Sequence, residues 1–512
     1  MTSRTRLLAI LLGALSIVAG VQYAILLSQP EPRGMEWQRE MSAEFERQWA
    51  TIAAADKIVD KVERCKRYPD APWLHWKPEL VTAFCDGLAL KAPSFAEIKA
   101  VFQDDHPELL EQKFQSYQDA NLSDPNQRGL LGRAMGVFAV DDPEVGAFVD
   151  KWISLAPHSR FALLARGILY VRLAYDARGS DTRGNTSQDN FRRMHELMAK
   201  GRADLEAALA ADPKLITAYV ELIRLGPATG DRELIEYAAR AALAVDPTDV
   251  DVYLMWMRAC QPRWGGSMWQ MQEVAKKAAE HLDRNPRLAL IMEKPVAYPA
   301  TLAVDMRNAD LVMRTLDTAL QISPSVSDFE KAGDTALMLR QPERAIWYFS
   351  QAWRFSAAPL RLARRAAALA KLGKRELAMQ SLPESIDLAE LDESALADLA
   401  HVYWDLGMLE RTEHLFDVLI ERNPHSRYAM SSLSSLYLTP PKRTDKAREM
   451  VTRLLTEYPN HADGWYYDFV LKYPNKQEYD KSARKFLELV NRDDPYEQER
   501  IKEAMLWLGQ KQ

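Results

Sequence analysis

The chain has 512 residues, 47% hydrophobic and 27% charged, enough apolar material for a large core and far from a disordered composition. With 66 basic against 72 acidic residues the net charge is −6, so no bulk cationic field draws it to nucleic acid. Long Val/Ile/Thr alternation is missing, which argues against a strand-rich fold.

Leu7 to Leu27 is a 21-residue stretch without a charge, preceded by Arg4 and Arg6. As a helix it spans about 30 Å, the thickness of a hydrocarbon core. The short basic tail argues for an N-inside transmembrane helix, with everything after Gln29 across the membrane. The alternative is a cleavable signal, with Leu7 to Val18 as its apolar region and Val18-Ala19-Gly20 as its small-residue site. A reversed anchor, holding the body on the cytoplasmic face, is a third arrangement.

Residues 30–93 read as a juxtamembrane helical region interrupted by Pro69, Pro72, Pro78 and Pro93. Cys65 and Cys85 are either one disulfide, in an oxidising compartment, or two buried thiols. Cys260, in an apolar run, reads as a small core residue, and no Cys/His set has zinc spacing. Residues 94–285 form a helical half with a polar insertion at 175–188, expected as a surface loop. In the turn Pro262 to Ser267, proline and two glycines end one helix, and Ser267 with Gln270 starts the next as a capping box. Arg263 and Trp264 are not needed for that turn. They contact an anionic partner group at the helix start, or Trp264 packs between repeats.

Internal repetition is the strongest signal. Prolines 157, 213, 247, 286, 324, 359, 424, 459 and 495 each follow an Ala/Leu-rich helical run. From 213 onward their steps are 34, 39, 38, 35, 65, 35 and 36, the 65 being about two units with Leu391-Asp392-Glu393 where a proline is missing. In one unit, Leu396, Leu399, Ala400 and Tyr403 share a face, Gly407 permits a turn, and Leu415, Phe416, Leu419 and Ile420 line a second helix that Pro424 stops. Neither helix buries its face alone, so units must stack.

These residues resemble the tetratricopeptide repeat over roughly residues 155–495. The resemblance implies an all-α fold, a right-handed α–α superhelix behind the N-terminal membrane helix, with residues 286–512 as its more regular array. Ser94-Phe95-Ala96-Glu97, Ala165-Arg166-Gly167, Ala177-Arg178-Gly179 and Pro262-Arg263-Trp264-Gly265-Gly266-Ser267 resemble a bacterial family of unknown function, over about residues 90–285. That second resemblance implies a bacterial origin and no activity. The implied location is the bacterial inner membrane, single-pass, with the bulk of the chain in the periplasm, or secreted there after signal cleavage.

Tetratricopeptide arrays bind extended peptides along the surface formed by first helices. Carried over by position, that surface includes Glu330 and Asp334, then Ala397, His401, Trp404 and Asp405, then Trp465, Asp468 and Lys472. His401, Trp404 and Asp405 share one helix face as a mixed aromatic and polar patch, unless Trp404 belongs to the core. Arg361, Arg364, Arg365, Lys371, Lys374 and Arg375 read as a solvated basic face, with membrane contact as the other possibility. No catalytic set is visible: Ala199 stands where a His195-Glu196 metalloprotease helix needs its second ligand, and phosphate loops and nucleophile turns are missing. The sequence therefore points to a non-enzymatic scaffold that docks a protein or peptide, without cofactor, metal or nucleic acid and in an oligomeric state left open. The alternatives are a regulatory subunit of an envelope enzyme, or an enzyme with an unrecognised site.

Overall fold

Helical periodicity punctuated by proline leaves the chain few options, and every regular element among the described residues is a helix. The computed structural model describes residues 34–102, 106–179, 186–302, 308–382, 386, 388, 391–440, 442–472, 476–492 and 497–509. The apolar stretch Leu7 to Leu27 lies outside them, as do residues 180–185 of the insertion at 175–188, whose flanks are not loop: Tyr175 to Arg178 end the helix Arg160–Arg178 and Gln188 opens the helix Gln188–Ala211. No helix among the described residues is long and apolar enough to cross a membrane. The chain divides into two units, 1–57 and 58–512. In the first, the helix Gly34–Asp56 carries Phe45 against Trp49, ring centroids 5.5 Å apart.

The second unit is a tetratricopeptide-like solenoid of antiparallel helix pairs. Examples are Ile216–Thr229 with Arg232–Val245, Val326–Met338 with Pro342–Ser356, Glu393–Asp405 with Leu409–Arg422, and Arg427–Leu438 with Thr444–Glu457. The prolines act as expected from their lack of an N–H. Pro213, Pro247, Pro324, Pro424 and Pro459 each stand two positions beyond the last residue of a second helix, at 211, 245, 322, 422 and 457. Within a pair the helices approach closely where a first helix carries glycine. A Cβ at Gly333 would sit 2.6 Å from the Phe349 ring, so only glycine lets that ring seat against the first helix.

The helix Pro342–Ser356 departs from the one-faced pattern. Every residue from Ala345 to Phe355 is buried, the behaviour of a helix covered all round. The cover is the segment after Lys57, whose Cys65 and Cys85 are disulfide-bonded, Cα atoms 5.5 Å apart, and fully buried. The Trp76 indole N–H donates to the Leu320 carbonyl at 2.8 Å, and its ring stands edge-on to Phe329 and Phe355. Trp73 meets Trp347 and Tyr348 edge-on. Arg354, 2% exposed, donates to the Cys65 carbonyl at 2.8 Å and pairs with Asp70 at 2.5 Å. Gln351 donates to the Pro69 carbonyl and Arg365 to the Tyr68 hydroxyl, each at 2.8 Å. At the segment's other end the Arg133 guanidinium donates to the Leu90 carbonyl at 3.0 Å. Residues 58–93 are thus a strap joining the early helix Leu130–Met135 to the repeats between Ala309 and Lys371.

A polar cluster is enclosed where helix Ala289–Ala297 meets helix Val326–Met338. The Lys294 ammonium lies 2.9 Å from Glu293, 2.8 Å from Asp328 and 3.0 Å from the Ser325 hydroxyl. Two carboxyls share one cation. Burial pushes Glu293 up to about 8, the Asp328 charge adding to the shift while Lys294 opposes it.

Two outcomes are expected. Trp76→Ala should lower unfolding stability in urea by about 3–5 kcal/mol, whereas Tyr237→Ala, at a 61% exposed ring, should stay within about 0.5 kcal/mol. Similar losses would show that the strap is not docked. For Glu293, a folded value above the ordinary 4.5 means that folding takes up a proton. Its contribution is whole below the ordinary value and is lost as pH rises to about 8. Glu293→Gln should remove that slope, at most about 1.4 kcal/mol per pH unit, in urea melts at pH 5 to 8. An unchanged slope would show that the proton sits elsewhere.

Candidate partner-binding groove

Four successive first helices build the candidate site: Val326–Met338, Pro359–Lys371, Glu393–Asp405 and Arg427–Leu438. Helical spacing puts Glu330 and Asp334 in one stripe, Arg361, Arg364 and Lys371 in the next, and Asp398, His401 and Asp405 in the third. Stacking faces these stripes, of alternating sign, against each other. Arg361 pairs with Glu330 at 3.2 Å and Lys371 with Asp405 at 3.1 Å. Arg364 is gripped from both sides, by Asp334 at 3.3 Å and by Asp398. Between them opens a groove of about 650 Å3 with Leu337, Phe349, Ala367 and Val402 in its lining.

About half the Asp334 side chain meets solvent, yet the groove walls strip away enough water to push its carboxyl up to about 6. Arg364 opposes that shift, while Asp398 and Glu330 add to it. His401 is held below the usual histidine value, chiefly by the same loss of water, with Lys371 adding and the Asp405 and Asp398 charges opposing. Its ring lies within 10° of parallel to that of Trp404, centroids 6.0 Å apart, and its Nε2 hydrogen-bonds the Tyr428 hydroxyl. Buried Phe416 stands edge-on beneath both rings.

Asp334, His401 and Asp405 therefore line one groove, and Trp404 adjoins it through its ring contact with His401. Trp465 and Asp468 do not line this groove. The Trp465 indole donates to the Pro459 carbonyl at 2.8 Å, and the buried Asp468 carboxylate accepts from Lys472 at 2.7 Å and Ser482 at 2.5 Å. Those bonds fix the last repeats internally. The turn with Arg263 and Trp264 is likewise held from within. Gly265 adopts φ 78°, a Cβ on Gly266 would sit 2.1 Å from the Cys260 carbonyl oxygen, and Ser267 caps the following helix. Arg232 donates to the carbonyls of Ala259, at 2.7 Å, and Trp264. The Arg263 amide donates to the Tyr298 hydroxyl at 3.2 Å, and its guanidinium to Gln261 at 2.8 Å.

In the basic run at 361–375, Arg361 and Arg364 belong to an interhelical ion ladder and Arg365 is 1% exposed, so the solvated-face reading fails for these three and holds for exposed Lys371 and Arg375. Stacking supplies Arg361 and Arg364 with carboxylates one repeat away and draws both guanidinia between the helices. Its signal was available in the register: Glu330, Arg364 and Asp398 are 34 residues apart in turn, and Lys371 and Asp405 another 34. Among the described residues, no three His, Cys, Asp or Glu side chains come together to hold a metal.

No protein-family model matches the chain, and no curated protein matches it. Solved structures do. The crystal structure of a tetratricopeptide repeat protein from Parabacteroides merdae aligns over 57% of this chain and 98% of its own, at 15% identity and TM-score 0.30. The P58(IPK) TPR domain aligns over 61% and 93%, at 14% identity and TM-score 0.21. In the APC/C hetero-tetramer Cut9-Hcn1 the figures are 94% and 98%, 13% and 0.35. The assignment of the fold rests on the helix pairs themselves rather than on these superpositions.

Removing Arg364 leaves Asp334 and Asp398 facing one another. Asp334 has a raised folded value, so its contribution to stability is lost as pH rises through about 6. Arg364→Ala should therefore lower the urea midpoint at pH 7.5 and recover part of the loss at pH 5. A loss of the same size at both pH values would show that Arg364 does not couple the two carboxylates.

Proposed function

We propose that the protein is a membrane-anchored scaffold whose tetratricopeptide-like array docks a protein or peptide partner in the bacterial cell envelope. The observation that carries this reading is the open groove at Asp334, His401 and Asp405, with Trp404 beside His401, walled by helices that their own ion pairs hold in place. A rigid concave surface with an aromatic patch suits docking, because little order has to be gained on binding. Two features support the compartment. The charge-free run Leu7 to Leu27 suits a single-pass anchor, and the Cys65–Cys85 bond suits an oxidising environment. The bacterial part of the proposal rests on the sequence motifs Ala165-Arg166-Gly167, Ala177-Arg178-Gly179 and Pro262 to Ser267 alone, since no family model matches the chain.

The test is photo-crosslinking in intact bacterial cells, with a photoreactive aromatic residue at position 404 or, as control, at the 67% exposed Trp269. One envelope protein captured from position 404 and not from 269 is the expected result. Efficient crosslinking within the chain itself, with no partner specific to position 404, would sink the docking proposal. A C-terminal reporter that is active only outside the cytoplasm tests the orientation, and its inactivity would reverse it.

A further inference from the structure

We infer that the groove receives an arginine-bearing extended segment of the partner, its guanidinium laid on the His401–Trp404 rings and paired with Asp405; this rests on the docking reading above. The first support is the platform itself. The two rings are nearly parallel, and Phe416, which is 0% exposed, props both from beneath, at 5.7 Å from His401 and 6.5 Å from Trp404. Tyr428, 45% exposed, closes one side at 5.9 Å from His401. Flat aromatic faces held in a fixed orientation are what a planar guanidinium stacks on.

The second support is which charges are available. Arg364 is gripped by two carboxylates and Arg361 by Glu330, so these groups are spent on one another. The Lys371–Asp405 pair is different. At 3.1 Å, with side chains 48% and 42% exposed, it is a solvated pair of little net strength. An incoming guanidinium offers Asp405 a two-pronged hydrogen bond that an ammonium cannot, and Lys371 returns to water. No buried charge is left unpaired by that exchange. An acidic segment meets the opposite situation. It would bring like charge against Asp334, Asp398 and Asp405, and the lining cations not gripped on both sides, Arg340 and Lys371, are exposed and hold a carboxylate only weakly, without the rings that favour a guanidinium.

The third support is the charge state of the platform. The groups facing His401 are Asp398 and Asp405 on its own helix, Lys371 on the preceding first helix and Tyr428 on the following one, with Phe416 beneath. Loss of water keeps the imidazole neutral at pH 7.5, so it offers a π face instead of repelling a cation. Acidification puts a positive charge on the platform and expels the guanidinium.

The test uses the full-length protein and a fluorescein-labelled Gly/Ser peptide with two spaced arginines, read by anisotropy, alongside citrulline and glutamate versions. At pH 7.5 the arginine peptide should bind about tenfold or more tighter than the citrulline peptide, and the glutamate peptide more weakly still. Trp404→Ala and Asp405→Asn should each cost about tenfold. Binding should weaken from pH 7.5 to 5.5, and His401→Phe, which keeps a ring without the proton, should reduce that dependence to the part carried by Asp334, which Asp334→Asn removes. Asp189→Asn, outside the groove, should change nothing, which separates the site from general attraction to an acidic chain. Equal binding of arginine and citrulline peptides, preference for glutamate, or indifference to Trp404→Ala would overturn the inference. A partner captured from position 404 whose crosslinked stretch lacks arginine would overturn it while leaving the docking reading intact. Absence of any capture would remove the docking reading itself.

Discussion

Arg354 holds the structure together at the point where a repeat array alone would be open. Its guanidinium is almost wholly buried and reaches the Cys65 carbonyl and the Asp70 carboxylate, nearly three hundred residues earlier in the chain. A buried cation tolerates that position only with its partners in place, since an unpaired charge there costs several kcal/mol. The tryptophans of the strap pack on the same helix, Trp73 against Trp347 and Tyr348 and Trp76 against Phe355, so the polar bond and the apolar seam belong to one interface. The extra cover on helix Pro342–Ser356, the burial of Cys65 and the link from the early helix Leu130–Met135 to the later repeats all belong to the interface this contact anchors.

That fixed region borders the groove. Phe349 lies in the groove lining and also packs on Gly333, so the strap-covered helix forms part of the floor under Asp334. On the other side the ion ladder sets the spacing of the first helices, which leaves the rings of His401 and Trp404 on a surface that does not have to rearrange to be used. Affinity from a surface of this kind comes from what it presents, because the ordering was completed on folding.

The sequence and the structure agree most closely where the physics is local. Proline two residues past five of the second helices, glycine at the Gly407 turn and the apolar face of Leu396, Leu399 and Ala400 are effects within one or two turns of chain, and each is visible in the spacing. His401, Trp404 and Asp405 were legible as one patch for the same reason. Arg364 was not, because its partners lie 30 and 34 residues away and emerge only when repeats are laid side by side. Asp468 was carried to the groove by position, but Ser482, which no pattern in its own helix announces, takes its carboxylate inward. The strap was hardest to foresee. Its bonds to helix Pro342–Ser356 span 282 to 289 residues, and the one local hint was a second helix, Ala345 to Phe355, with no polar face long enough to meet water.

The strap also changes what kind of object the array is. Stacked repeats that touch only their neighbours behave like beads that can melt from either end, one at a time. A segment made early in synthesis and seated on residues made some three hundred positions later closes that string into a ring of contacts. Everything between Leu90 and Leu320 is then enclosed by the closure, so a middle repeat cannot fray without first releasing a distant seam. Loop entropy rises only slowly with length, so closing so long a loop adds little to its cost. It does delay the last step of folding until the later repeats exist, leaving the strap's tryptophans without their seats until then.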